Sequence, residues 1–121
     1  MPVRSLTSSV LVWPDRGAVE AALRRWAAES ARRRPQLLRV GYFGSYARGD
    51  WGVGSDLDIV LVVARDELAF TRRGAAWDLT SLPVSADVLV YTHDEWRGLD
   101  PASRFARALA REVVWVWVRE P

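Results

Sequence analysis

The sequence predicts an α/β (α+β) layer, a central sheet of about four strands with helices packed against it. Short aliphatic runs recur at Leu37 to Gly44, Asp56 to Val63, Val84 to Tyr91 and Val113 to Val118. Between them lie stretches with apolar residues at helical spacing, and cap and turn residues mark the joins. At 121 residues, with half of them hydrophobic and 26% charged, the chain has the composition of one soluble domain with a buried core.

The chain opens with "SVLVWP" (Ser9 to Pro14), which reads as a leading strand ended by proline, with Asp15 as the N-cap of a helix. From Ala18 to about Arg33, Val19, Ala22, Leu23, Trp26 and Ala27 fall at helical spacing, and Pro35 stops the helix. "LLRVGYFG" is a strand, then comes a glycine-rich segment, then "DLDIVLVV". The latter is aliphatic on both faces beyond Asp58, which predicts a central strand. "RDELAFTRRGAAWDLTSL" reads as a weaker helical segment interrupted near Gly74. After the strand ending at Tyr91, Thr92 and Glu95 form a capping box that places His93 at a helix start. Asp100 with Pro101 predicts a further helix start, and "VVWVWV" closes the sheet. In that last strand, alternation puts Trp115 and Trp117 on one face and Val114, Val116 and Val118 on the other, so both faces are apolar. Such a strand is either internal or meets a partner on one face.

Composition excludes several chemistries. Without cysteine there are no disulfides, thiolate zinc sites or cysteine nucleophiles, and His93, the single histidine, has no partner for a zinc site. No apolar run is long enough for a signal peptide or a membrane span, so a cytoplasmic, soluble protein is expected. All 17 basic residues are arginine, which excludes a lysine-bearing phosphate loop while leaving bidentate arginine clamps available. A net charge of +2 argues only weakly for nucleic acid.

The chemistry concentrates in "GYFGSYARGDWGVGSDLDIVLVV". Residues two apart on a strand share a face, so Asp56 and Asp58 project together while Leu57 and Ile59 enter the other layer. Asp87, in the middle of another apolar strand, is a third carboxylate. Burying such groups unpaired costs several kcal/mol, on the order of a whole domain's margin of stability, which calls for a cation nearby. Hard oxygen donors suit Mg²⁺ or Mn²⁺, one ion or a pair. The simpler alternatives are a solvated turn at the strand start for Asp56 and Asp58, and an arginine partner for Asp87. Asp50 reads as a turn residue. Gly44 lets backbone approach a ligand, Ser45 offers a hydroxyl and an amide at the start of a short helix, and Arg48 adds a charge-assisted contact to the same phosphates. Trp51, in the loop, is expected to be exposed, free to stack on a base or touch a partner, or else to anchor the loop.

Taken together, "GSYARGDWGVGSDLD" resembles the signature of the DNA polymerase beta-like nucleotidyltransferase superfamily: Gly-Ser, a spacer of about ten residues, then Asp-x-Asp, with a later third aspartate. Gly44, Ser45, Asp56 and Asp58 stand at the motif positions, Arg48 and Ser55 fit its minimal nucleotidyltransferase (MNT) branch, and Asp87 fits the third acid. The resemblance implies a polymerase beta-like core with a mixed sheet. It also implies transfer of a nucleoside monophosphate, usually from ATP, to a hydroxyl. Asp56, Asp58 and Asp87 would hold Mg²⁺ (or Mn²⁺), Asp87 would help deprotonate the acceptor, and Gly44, Ser45, Arg48 and Ser55 would hold phosphates. Minimal members pair with a small helical HEPN protein as the antitoxin that adenylylates it, which makes a protein side chain the favoured acceptor. The alternatives are an inactive binding module that neutralises its partner by occlusion, or transfer to a small molecule or RNA.

Overall fold

The computed structural model describes residues 13–119. Helix α1 (Arg16–Arg33) starts where Asp15 accepts a hydrogen bond from the Ala18 N–H at 2.8 Å, and its last turn carries Arg32 and Arg33, which suit the negative end of the helix. Strand β1 (Leu37–Phe43) leads into a single helical turn, α2 (Ser45–Arg48), and strand β2 (Leu57–Val63) comes next. After α3 (Phe70–Arg73) and a 3₁₀ turn at Gly74–Ala76 come β3 (Ala86–Thr92), α4 (His93–Arg97), α5 (Arg104–Glu112) and β4 (Val114–Val118). The strand expected at Ser9 to Pro14 lies largely outside the described residues; Trp13 and Pro14 have no regular structure.

The four strands form one mixed sheet in the order β3-β2-β1-β4, with β1 antiparallel to β2 and β4, and β2 parallel to β3. β2 is therefore central, as its aliphatic run predicts. Alternation along it feeds two cores. Leu57, Ile59, Leu61 and Val63 join Val19, Leu23 and Trp26 of α1 on one face, while Val60 joins Leu109 of α5 and Trp96 of α4 on the other. Burying Val19, Leu23 and Trp26 contributes on the order of 2 kcal/mol each.

Three expectations change. The segment after β2 forms only α3 and the 3₁₀ turn. Thr80 closes a turn by donating its N–H and hydroxyl to Asp78 Oδ1, and Trp26 Nε1 ties the Asp78 carbonyl to α1 at 2.7 Å. The second late helix starts at Arg104, not at Asp100: Ser103 is its N-cap, and Asp100 instead accepts from the Ala102 N–H. Trp115 and Trp117 do not share a face. The β1–β4 register places Val40 opposite Trp117 and Gly41 opposite Trp115, a bulge that turns Trp115 toward Trp96 and leaves Trp117 with the α1 core. A side chain at position 41 is excluded there, because a Cβ would lie 2.8 Å from the Trp115 ring. β4 lies at the edge of the sheet, yet both of its faces pack inward, as core packing requires: Trp117 on the α1 core and Trp115 on the second.

Arg73, on α3, is buried. Its guanidinium donates to both Glu95 oxygens (2.6 and 3.2 Å) and to the Val90 and Leu68 carbonyls. Glu95 also accepts from the Thr92 N–H at 2.8 Å, completing the expected capping box. Arg73, then the Thr92 N–H, hold the Glu95 carboxyl below the usual range. This stabilisation is fully present above the ordinary glutamate value and is lost as the pH falls through the lowered one. Glu95→Gln keeps the cap and removes the charge. Because Glu95 itself remains partly exposed, we expect a loss of about 1–3 kcal/mol at neutral pH, shrinking in acid, measured by urea denaturation across pH.

Candidate active site

At the end of the sheet where β1 leaves and β2 enters, a cleft of about 450 Å³ opens between the strand ends and α5. Three short-range facts of the sheet assemble it. β1 and β2 are antiparallel with Phe43 opposite Asp58, so Gly44 comes directly beside that carboxylate. β2 and β3 are parallel with Asp58 opposite Asp87, so two acids from different strands stand in register. Asp56 precedes Asp58 on the same side. All three aspartates line the cleft together with Gly44, Ser45 and Arg48.

Gly44 is fitted to this place. Its backbone (φ 77°, ψ −151°) is a conformation reserved for glycine, and a Cβ there would sit 2.2 Å from Asp58 Oδ2. The missing side chain is what allows the backbone to lie against the acid. α2 is a single turn, so its dipole is small; the donors it offers are backbone N–H groups and the guanidinium of Arg48. Arg48 donates from Nε to Asp50 Oδ2 at 3.1 Å and from Nη1 to Glu112 Oε1 at 3.3 Å. Asp50 is thus a turn residue that also restrains Arg48.

Burial is uneven. Asp56 and Asp87 are exposed, and Asp58 alone is partly withdrawn from water. Burial first, then the charges of Asp87 and Asp56, push the Asp58 carboxyl above its usual range, with Arg48 opposing. The cost expected of three buried acids therefore falls mainly on one. Among the described residues no three acidic, histidine or cysteine side chains are gathered closely enough to hold a metal ion alone. Asp56, Asp58 and Asp87 remain the oxygen donors available to a hard cation that completes its shell from elsewhere.

Ser55 is not brought to the cleft: its hydroxyl accepts from the Gly52 N–H at 2.8 Å and shapes the loop. Trp51 is a loop anchor, stacked on the fully buried Tyr46 ring at 5.5 Å and 8°.

The sequence profile of the nucleotidyltransferase domain matches residues 24–113. The chain belongs to that family. A candidate nucleotidyltransferase from Sulfolobus solfataricus superposes with a TM-score of 0.62 at 25% identity, over 86% of this chain and 84% of that one. A toxin-antitoxin structure with AMP-PNP gives 0.55 at 19% identity, over 80% of this chain and 74% of its own. A mutant of the toxin-antitoxin MntA-HpeT gives 0.52 at 16%, with the same coverages. At such identities these last two share the fold. No curated protein matches the chain.

The nucleotidyltransferase has one cleft wall that sequence reasoning missed. Phe105, Ala108, Leu109 and Glu112 of α5 face the aspartates, and Phe105 meets Phe43 edge-on at 6.4 Å between ring centroids. Their spacing is a helical stripe, the one signal that could have grouped them. Nothing local says which end of the sheet that stripe covers.

Proposed function

We propose that this nucleotidyltransferase uses Mg²⁺ and ATP to place AMP on a hydroxyl of a partner protein, as the MNT antitoxin of a pair whose toxin is a small helical HEPN-type protein. The observation that carries this reading is the register pairing of Asp58 with Asp87 beside Gly44, which puts oxygen donors and phosphate donors on one cleft. Two fold neighbours are toxin-antitoxin proteins, one of them with an ATP analogue, which supports the biological setting.

The donor set fits a hard divalent cation: it is all oxygen, and such an ion offsets the burial and then the neighbouring charges of Asp87 and Asp56 that penalise the Asp58 carboxylate. Asp56, Asp58 and Asp87 would hold it, and when bound it neutralises charge on the triphosphate. Gly44, Ser45 and Arg48 hold and orient the outer phosphates. The acceptor hydroxyl oxygen forms its bond to the α-phosphorus as the bond from that phosphorus to the bridging oxygen breaks. Pyrophosphate leaves, and the hydroxyl proton passes to Asp87, whose exposure keeps it in exchange with water. Positioning and charge neutralisation supply the acceleration.

Incubation with α-labelled ATP, Mg²⁺ and the HEPN-type protein tests this directly. Label should appear on the partner and disappear with Asp56→Asn. No transfer, together with full neutralisation of the toxin by Asp56→Asn, would instead establish occlusion without chemistry.

A further inference from the structure

The cleft donors suited to phosphate are already engaged by a side chain of the protein itself. Glu112 Oε1 accepts from the Gly44 N–H and from Arg48 Nη1, both at 3.3 Å. One carboxylate oxygen thus lies between a backbone amide and a guanidinium, the pair of contacts an oxygen of a bound phosphate would take. Glu112 is the last residue of α5, with its side chain 22% exposed, and it shares the cleft with three aspartates. Among the described residues these two donors are its hydrogen-bond partners.

We propose that Glu112 is a resident phosphate mimic, a positioning residue that occupies Gly44 and Arg48 in the free protein and must withdraw before a triphosphate can bind. The inference rests on the nucleotidyltransferase reading of this cleft and adds a displacement step to it. A ligand bringing one phosphate only exchanges contacts with Glu112. A triphosphate exchanges those contacts and gains others along its chain, which offset the displacement of Glu112. Both bonds, at 3.3 Å, lie just beyond the usual N–H···O range, as expected of a group that has to leave. At the C-terminus of α5 it can swing by rotamer change without disturbing Leu109, whose side chain fills the second core.

Calorimetric titration with ATP, and separately with inorganic tripolyphosphate, each with and without Mg²⁺, tests the proposal on the whole chain. Glu112→Gln should tighten binding of both ligands by roughly tenfold. Glu67→Gln, which removes the same charge from an exposed site past the far end of β2, should leave affinity unchanged. In an Arg48→Ala background the gain from Glu112→Gln should shrink to about threefold or less, because one of the two contacts that Glu112 competes for, the charged one, is gone. Unchanged or weaker binding by Glu112→Gln overturns the proposal, as does weakening seen only with Mg²⁺, which would make Glu112 a cation ligand. A gain undiminished in the Arg48→Ala background also overturns it, leaving simple repulsion. If neither the wild type nor Glu112→Gln, both folded by circular dichroism, binds either ligand, the nucleotidyltransferase reading of the cleft fails and this proposal with it.

Discussion

Replacing Gly44 with alanine is expected to abolish ATP binding and to lower stability by about 3 kcal/mol. Two penalties combine at this residue. The backbone conformation at φ 77° and ψ −151° is one that a residue with a side chain avoids, and the new Cβ would fall 2.2 Å from Asp58 Oδ2. Relief requires the peptide to rotate or Asp58 to move, and either takes the Gly44 N–H out of line with the aspartates. Gly49 is the milder case on both counts. It also has a positive φ, 87°, as the left-handed cap of α2, but nothing lies within 4 Å of where its Cβ would be. Gly49→Ala should therefore cost only about 1 kcal/mol and leave ATP affinity within twofold. Urea denaturation and calorimetric titration of the two variants side by side check both statements. Equal behaviour of the two would mean that the contact with Asp58 does not govern the site.

The contrast between these glycines also marks how far the sequence could be read. Strands β1, β2 and β3, helix α1 with its Asp15 cap, and the Thr92–Glu95 capping box arise from local rules, because periodicity and capping depend on near neighbours in the chain. That Gly44 and Asp58 come together is also legible, since one reversal joins their strands. What depends on distant partners could not be read. The bulge that sends Trp115 and Trp117 to different faces is a property of the β1–β4 register. The irregular path after α3 is held by Trp26 and Arg73 through bonds spanning up to 52 positions. Glu112 reaches the Gly44 N–H across 68 positions, and in the sequence it is a single acid closing an arginine-rich helix. The exposure of Asp56 and Asp87 was hidden for the same reason: the sequence shows them in or beside apolar strands, but not that the strands end at an open cleft.

Asp58→Asn should reduce nucleotidyl transfer by roughly 10³-fold or more while making the free protein more stable. The two effects share one cause. Burial and the neighbouring charges of Asp87 and Asp56 hold the Asp58 carboxyl above its usual range. A carboxyl raised in this way binds its proton more readily folded than unfolded. Its ionisation therefore opposes folding at every pH above the raised value, and this opposition fades as the pH falls toward the unfolded value. Asparagine keeps the shape, cannot ionise, and removes the repulsion, so in divalent-free buffer at neutral pH the melting temperature should rise by a few degrees. In acid, where Asp58 is protonated, wild type and variant should converge. Adding Mg²⁺ should close the gap from the other side, stabilising the wild type more than the variant, because an ion held by the acids binds the folded state only. Scanning calorimetry at two pH values, with and without Mg²⁺, and a labelled-ATP transfer assay give all of these readings. A lower melting temperature for Asp58→Asn would show that Asp58 supports the fold rather than straining it. Retained transfer would remove it from the chemistry. Higher stability with lost activity would mean that the strand end is kept under electrostatic strain by the acids that the reaction needs.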